Sequence, residues 1–235
     1  VVDFFESKGI KTVHSTSKTR LQLLDEIDDG IVVFTAHGVS QEVYKKAMDK
    51  GLEIIDTTCK DVTHTQEIIR DYINKGYDVI FIGKKHHPES EAAKGIGSNV
   101  HIIETISDLS FLNIKNDKII LTNQTTMSLF DIYTLSEEIQ EKYPQIEFIE
   151  EVCNSTRIRQ EAVRNQDTSI DHCFVVGDQL SNNSRNLAHV SKTKAMINST
   201  LIENIEDIDI EALMTYNKVS VTSGASTPTR ITNEV

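Results

Sequence analysis

The chain has 235 residues, of which 38% are apolar and 26% are charged, and 24 basic and 36 acidic side chains give it a net charge of −12 at pH 7. This composition is that of a folded globular protein, long enough for one large domain or for two to three small ones. The acidic balance argues against a nucleic acid or an anionic membrane surface as the main partner, because no net field attracts the chain to either. No apolar run approaches the roughly 18–20 residues that a membrane span needs.

Short apolar runs, each followed by a polar cluster and often by a helical pattern, recur along the chain. The runs that predict strands are 31–34, 79–82, 119–121, 174–176 and 219–221. The patterns that predict helices are 41–50, 62–74, an amphipathic stretch that ends near 142, 156–165 and 185–191. Short strands that alternate with helices indicate βα units around parallel sheets.

Two of these units resemble each other closely. Residues 53–59 and 147–153 both read acidic, apolar, apolar, acidic, and both end in a cysteine, Cys59 or Cys153. This self-similarity predicts a repeat of small α/β modules, each opening with a strand, a cysteine and a helix. The predicted modules are 1–58, 59–152 and 153–235. The first is expected to be incomplete, with its opening strand and cysteine upstream of Val1.

Neutral polar side chains collect where the predicted strands end, which is the edge at which parallel α/β sheets bind ligands. Such side chains and the N–H groups of helix starts suit a phosphate or a diphosphate. The alternative is that they only cap helices and form turns. The set comprises Thr35, His37, Ser40, His86, His87, Gln124, Thr125, Thr126, Ser181, Asn182, Asn183, Ser184, Ser223 and Ser226.

The sequence His87-Pro88-Glu89 is a second candidate for chemistry. Proline fixes the backbone at a loop-to-helix step and holds the imidazole and the carboxylate in a set relation. A carboxyl group beside an anion site and away from water has a raised pKa and can deliver a proton near neutrality. The alternative is a helix that begins at Pro88 and carries Glu89 in its first turn.

The three cysteines differ in their surroundings, and their scatter is typical of a reducing cytoplasm rather than of a disulfide framework. Cys173 lies within an apolar strand and is predicted to be a core residue. Cys59 and Cys153 follow strands among polar residues, where a thiolate can reach a metal. Their spacing matches no local zinc motif, whereas iron–sulfur ligands need not be close in sequence, so spacing alone leaves metal ligation open.

Seven motifs in order carry a resemblance to a known family. They are FTAHGVS at 34–40, DTTC at 56–59, HPE at 87–89, QTTMS at 124–128, RQEAV at 159–163, SNNS at 181–184 and TSGAS at 222–226. With these motifs the whole chain resembles 4-hydroxy-3-methylbut-2-enyl diphosphate reductase, the iron–sulfur enzyme that ends the non-mevalonate isoprenoid pathway. The resemblance implies an α/β fold of three small parallel-sheet modules in a pseudo-threefold cloverleaf around a central site.

The resemblance also implies a reaction and the residues that serve it. The family removes the allylic hydroxyl of its substrate by reduction at a 4Fe-4S cluster and forms isopentenyl and dimethylallyl diphosphates. Cys59 and Cys153 match cluster ligands, Glu89 matches the acid that relays a proton, and Thr125 matches a residue near the hydroxymethyl end. The matches to the diphosphate site are His37, His87, Ser181, Asn182, Asn183 and Ser226. An external electron donor such as flavodoxin or ferredoxin and a cytoplasmic location are implied as well.

The chain departs from the family pattern in places. The family's first cluster cysteine and an upstream diphosphate-binding histidine have no match, and both are expected upstream of Val1. Residues 1–235 alone are therefore expected to assemble the cluster poorly and to be inactive. Asn182 stands where many members carry Ser, and an amide can still donate to phosphate.

Two other functions stay open on the residues alone. One is a zinc-dependent hydrolase of a phosphorylated metabolite, with Cys59, His37, His87 and Glu89 around one metal. The other is a non-catalytic binder of such a metabolite, which needs the serines and asparagines but not the cysteines.

Overall fold

Parallel strands and helices alternate through the computed structural model, which describes residues 2–15 and 17–235. The described strands form three small sheets, and every strand pair in them is parallel. The prediction of an α/β fold with three small parallel-sheet modules is confirmed. By contact density the chain divides into two compact units, Val1–Gln124 with Ile139–Glu150 and Thr125–Glu138 with Glu151–Val235.

The first sheet is a parallel pair, β1 (Ile31–Phe34) and β2 (Glu53–Asp56), with α3 (Gln41–Asp49) between them in sequence. Before it come α1 (Val2–Glu6), α2 (Arg20–Leu23) and a 3₁₀ turn, Leu24–Glu26. The strand β1 alternates between exposed and buried side chains, so one face of this sheet packs on α3. The core of this module comprises Leu24, Val32, Phe34, Val39, Val43, Ala47 and Leu52.

The second sheet has the strand order β4-β3-β5-β6. Its strands are β3 (Asp78–Ile82), β4 (Val100–Ile103), β5 (Ile119–Asn123) and β6 (Glu147–Phe148), and its helices are α4 (Lys60–Asn74) and α5 (Pro88–Lys94). A 3₁₀ helix, Ile106–Phe111, follows β4, and α6 (Leu129–Lys142) follows β5. Both central strands are buried along their whole length or nearly so, as expected of a parallel sheet covered on both faces.

The third sheet, of order β8-β7-β9, lies in the second unit. Its elements in chain order are α7 (Asn154–Arg164), β7 (His172–Val176), α8 (Asn182–Thr193), β8 (Asn198–Ile202), the 3₁₀ turn Ile205–Asp207, α9 (Ile210–Leu213), β9 (Val219–Ser223) and α10 (Thr229–Glu234). Cys173 is fully buried in its core with Val163, Val175, Leu187 and Val190. Its prediction as a core residue is confirmed.

Three helices begin earlier than the apolar periodicity predicts. α4 and α7 start directly after Cys59 and Cys153, each two residues before its predicted start, and α8 starts at Asn182 rather than at 185. In each case the residues before the predicted start, 60–61, 154–155 and 182–184, are polar and carry no apolar signal, so the periodicity becomes visible only after them. The early start of α8 places Asn182, Asn183 and Ser184 of the SNNS motif inside its first turn.

We predict that Gly177, the residue that follows β7, tolerates no side chain. A Cβ built there meets Ser184 Oγ and lies 2.9 Å from Ser184 Cβ, in the first turn of α8. Because this contact is with a buried, short side chain, Gly177→Ala should lower the free energy of unfolding by about 1–3 kcal/mol. Urea denaturation measures this loss.

The matched control is Gly97→Ala, whose new Cβ approaches only the flexible end of Ile73, at 3.1 Å from Cδ1. Gly97→Ala should lower the free energy of unfolding by less than about 0.5 kcal/mol, as substitutions away from tight contacts usually do. Equal stabilities of the two variants would show that β7 and α8 are not packed this closely.

Candidate active site

Cys59 and Cys153 occupy equivalent places in the repeat. Each is the N-cap residue of its helix, with φ −61° and ψ 142° at Cys59 and φ −62° and ψ 144° at Cys153. The Cys59 N–H donates to the Ala36 carbonyl at 2.9 Å, and the Cys153 N–H donates to the Thr125 carbonyl at 3.1 Å. Both cysteines are free thiols, one exposed and one half-buried. Both sulfurs therefore stand at the N-terminal end of a helix, directly after a strand-end turn, and neither is tied up in a disulfide.

A second repeat lies in the turns after β1, β5 and β9. His37, Thr126 and Ser226 each stand three residues beyond the end of their strand. The Gly38 N–H donates to the Thr35 carbonyl, and the Thr227 N–H donates to the Gly224 carbonyl, both at 3.0 Å, so these two turns share one hydrogen-bond pattern. Equivalent backbone positions therefore present an imidazole in one module and hydroxyls in the other two.

The first unit brings three of the predicted site residues together: His37, His87 and Glu89. The imidazole rings of His37 and His87 are 4.8 Å apart in a T-shaped arrangement, and His37 Nδ1 lies 3.3 Å from Glu89 Oε1. Glu89 is only 4% exposed. One ligand atom from each of the three lies within 4.8 Å of the others, so the cluster can bind an anion through its histidines or a metal ion through all three.

The protonation state of His87 follows from its surroundings. Burial lowers the pKa of His87 to about 4, against an opposing contribution from Glu89, so its ring is neutral at neutral pH. Its Nδ1 accepts a hydrogen bond from the Glu89 N–H at 3.2 Å as the N-cap of α5. A neutral ring that accepts at Nδ1 carries its proton on Nε2, which leaves Nε2–H as a donor.

The second unit gathers another group of predicted residues at the start of α8. Ser181 is the N-cap residue, and its hydroxyl accepts from the Ser184 N–H at 3.3 Å. Asn182 Nδ2 donates to the Thr126 carbonyl at 3.0 Å, next to Thr125, which is 3% exposed. Ser226 is exposed and lies two residues after Gly224. This turn approaches the start of α8, since a Cβ placed on Gly224 would lie 3.6 Å from Asn183 Nδ2.

Asn183 is 6% exposed, and its Nδ2 has no hydrogen-bond partner within the described part of the chain. Its Oδ1 accepts from Thr156 Oγ1 at 3.3 Å, and Thr156 Oγ1 lies 3.0 Å from Cys153 Sγ. A buried amide donor without a partner costs free energy unless a ligand accepts from it. Asn183 therefore has the strongest indication of a missing acceptor among the residues of this group.

Two residues that have structural roles in the site were not predicted as site residues from the sequence. Gln160 lies inside a quoted motif, and its side chain holds the turn before α6, since Nε2 donates to the Met127 carbonyl at 2.9 Å and Oε1 accepts from the Leu129 N–H at 2.8 Å. Thr156 lies in no quoted motif. Its only sequence signal is its position, the third helical residue after a cysteine of the repeat.

Comparisons with known proteins agree with these motifs. The family model described as "LytB protein" matches residues 1–235. A 4-hydroxy-3-methylbut-2-enyl diphosphate reductase of Brevibacillus brevis is 49% identical over all of this chain and 75% of its own length. One of Bacillus mycoides is 50% identical over all of this chain and 74% of its own length. The chain thus spans about three quarters of each relative.

Two solved structures have the same fold. The reductase of Plasmodium falciparum, 31% identical, matches with a TM-score of 0.84 over 89% of this chain and 67% of that one. A second structure, described as the terminal enzyme of the non-mevalonate pathway, is 29% identical and matches with a TM-score of 0.59 over 87% of this chain and 74% of that one. On the match of the family model along its whole length, the chain belongs to the LytB protein family.

Proposed function

We propose that the chain carries the reductive dehydroxylation of 4-hydroxy-3-methylbut-2-enyl diphosphate to isopentenyl and dimethylallyl diphosphates. In this reaction the allylic C–O bond breaks, two electrons and two protons enter, and the hydroxyl leaves as water. The observation that carries the proposal is the family match over all 235 residues, with relatives near 50% identity that are named for this reaction.

Cys59 and Cys153 are the residues of this chain that hold an iron–sulfur cluster. They fit because both are free thiols at the N-terminus of a helix, whereas Cys173 is fully buried in an apolar core. When bound, the cluster would supply the electrons of the reduction and the Lewis acidity of an iron.

The third thiolate comes from a strand and a cysteine upstream of Val1. The repeat supports this, because β1 pairs with β2 and β5 pairs with β6, and each second strand leads to a cysteine. The strand β9 is the counterpart of β1 and β5, and within the described residues its outer edge has no partner strand. An edge strand presents unpaired N–H and C=O groups that accept a further strand.

The diphosphate is held by neutral donors. Two donors support this. Asn183 Nδ2 has no hydrogen-bond partner among the described residues, and the neutral His87 ring, which accepts at Nδ1, has its proton on Nε2. Ser181, Asn182, Ser226 and His37 complete the set on the family match. Neutral donors in a water-poor site bind a phosphate without the desolvation cost of buried cations.

Glu89 delivers the proton that turns the leaving hydroxyl into water. Its support is its burial, its place in the first turn of α5 and the contact of its Oε1 with His37 Nδ1. Thr125, buried beside the Cys153 amide, lies close to the hydroxymethyl end of the substrate.

Electrons come from an external carrier such as flavodoxin or ferredoxin, and the protein works in the cytoplasm. Three free cysteines support a reducing compartment. Among the described residues, no helix has both the length and the apolar character that a membrane span requires.

The metal-ligand geometry of His37, His87 and Glu89 favours a second candidate, a zinc-dependent hydrolase of a phosphorylated metabolite. The two functions differ in metal content. Zinc without iron or acid-labile sulfide in the purified protein would support the hydrolase.

Turnover is the direct test. The chain is reconstituted anaerobically with iron, sulfide and excess dithiothreitol, which supplies a small thiolate as third ligand, and dithionite-reduced methyl viologen provides electrons. Because the chain alone lacks its third cysteine ligand, we expect both diphosphate products by mass spectrometry only when dithiothreitol supplies that thiolate and little or none without it, and a loss of at least about 100-fold in Glu89→Gln. A preparation that holds iron and sulfide and yields inorganic phosphate instead of either product contradicts the reductase proposal.

The cysteines give a prediction about cofactor content. Cys59→Ser and Cys153→Ser should each lose most of the bound iron and the broad visible absorbance after reconstitution, because serine replaces a soft thiolate with a poor ligand. Cys173→Ala should keep both and lose only packing stability. Iron retention in both serine variants would remove these two cysteines as ligands.

His87 gives a prediction about pH. Its folded pKa of about 4 lies below the unfolded value near 6.5, so between these pH values the unfolded chain binds a proton that the folded chain does not. As the pH falls through this window, the free energy of unfolding therefore decreases, by up to about 3 kcal/mol. Urea denaturation between neutral pH and the folded pKa of about 4 should show this loss in the wild type and not in His87→Asn. The asparagine amide can still cap α5.

Because carboxylates also titrate in this window, the measured quantity is the difference between the two proteins. His14→Gln, at an exposed site, serves as the control and should follow the wild type. Parallel pH profiles of the wild type and His87→Asn would show that His87 is not buried as a neutral ring.

A further inference from the structure

Basic side chains are concentrated in two neighbouring helices of the second unit. The helix α7 and the segment 182–194, which comprises α8 and its C-cap residue, carry six of the 24 basic residues and one of the 36 acidic residues, Glu161. The rest of the chain has 18 basic and 35 acidic residues. The six basic residues, which we call the basic layer, are Arg157, Arg159, Arg164, Arg185, Lys192 and Lys194. A chain of net charge −12 thus has one region of opposite sign.

The two helices cover the same face of the third sheet. Val163 of α7 and Leu187 of α8 pack with Cys173 of β7 in one core cluster. The helix α7 begins directly after Cys153 and α8 directly after Ser181, so the basic layer extends outward from residues of the proposed site. Four of its members are exposed to solvent: Arg164, Arg185, Lys192 and Lys194.

Two members of the basic layer share one aromatic ring. The guanidinium carbon of Arg164 lies 5.1 Å and Lys194 Nζ lies 5.7 Å from the centroid of the Phe130 ring, in the first turn of α6. Among the described residues, no carboxylate is within ion-pair distance of either cation. Several lysines elsewhere do pair with a carboxylate, namely Lys18, Lys46, Lys75, Lys85 and Lys218. Two like charges on one ring repel each other, and an acidic group bound beside them relieves that repulsion.

An exposed methionine follows these cations. Met196, two residues after Lys194, is 81% exposed and has a φ of 59°. This left-handed conformation costs free energy in residues other than glycine. Arginine, methionine and aromatic residues are enriched in protein–protein interfaces. Cations, a shared ring and an exposed apolar side chain together are typical of a surface that binds a protein rather than a small anion.

We propose that the basic layer is the docking surface for an acidic electron-carrier protein. Opposite charge steers the carrier to this surface, whereas the acidic remainder of the chain repels it. The helix α7 is about 16 Å long and begins at Cys153, so a carrier bound over Arg164 is one helix length from the proposed cluster ligand. Each docking event passes one electron and leaves the carrier oxidised by one electron, so two events supply the two electrons of the reduction. The inference rests on the proposed function for the need of a carrier.

The first test measures binding without turnover. A flavodoxin of net negative charge, in its oxidised form, is titrated into the metal-free chain at low ionic strength by calorimetry. Lys194→Glu should raise the dissociation constant about fivefold, because the substitution replaces an attraction by a repulsion at the interface. Added salt should weaken binding of the wild type and remove most of its advantage over the variant.

The matched control is Lys118→Glu in the first unit. Lys118 is also exposed, and its Nζ lies 5.7 Å from the centroid of the Tyr77 ring, the distance that separates Lys194 from Phe130. The control therefore makes the same change of charge in the same kind of contact and should bind flavodoxin within about twofold of the wild type. Lys194→Gln, which removes the charge without reversing it, replaces Lys194→Glu if the latter proves unstable in thermal melting.

The second test compares two electron donors on the chain reconstituted with iron, sulfide and dithiothreitol. With reduced flavodoxin, Lys194→Glu should raise the KM for the carrier about fivefold. With reduced methyl viologen, which needs no protein docking surface, turnover and the KM for the diphosphate should stay within about twofold of the wild type. A higher KM for the diphosphate with methyl viologen would assign the basic layer to attraction of the substrate and overturn the proposal.

The binding titration separates this proposal from the proposed function. A wild-type chain that does not bind flavodoxin overturns the docking surface, and so do equal affinities of Lys194→Glu and Lys118→Glu. If the reconstituted wild type reduces nothing with methyl viologen, the proposed function fails, while the titration of the metal-free chain still decides whether the basic layer binds an acidic carrier.

Discussion

The hydrogen bond from each cysteine amide to the neighbouring strand-end turn fixes the backbone of Cys59 and Cys153, the two residues on which the proposed function depends. In both modules the N–H of Cys59 or Cys153 donates to a carbonyl two residues beyond the end of a parallel strand. The same bond sets the cysteine in an extended conformation, from which the helix can start at the next residue. Because the bond joins backbone atoms, it does not restrict which side chains the turn carries. The residues that directly follow the two acceptors are accordingly different, His37 in one turn and Thr126 in the other.

The two groups of polar residues that we propose as the diphosphate site differ in their chemistry. His37, His87 and Glu89 combine two imidazole rings with a buried carboxyl group, and burial lowers the pKa of His87. At the start of α8 the donors are amides and hydroxyls, supported by the first turn of a twelve-residue helix.

Much of the fold was predictable from sequence, because the strands are short apolar runs between polar clusters. The run 31–34 coincides with β1, and Cys173 is in the core where its apolar neighbours place it. The starts of α4, α7 and α8 were not predictable from periodicity, since the first two or three residues of each helix are polar. Of the site, the residues could be named from the motifs. The contact of Thr156 with Asn183 joins residues 27 positions apart, and no pattern in either segment indicates it.

The measurement that tests the central claim most directly is protection of individual thiols. The chain is alkylated before and after anaerobic reconstitution with iron and sulfide, and the modified peptides are quantified separately. Ligation predicts that Cys59 and Cys153 are both alkylated in the metal-free chain and both protected afterwards, with Cys173 unreactive throughout because it is fully buried. Should either Cys59 or Cys153 remain as reactive in the iron-loaded chain as in the metal-free one, the assignment of these two thiolates to one cofactor would be wrong.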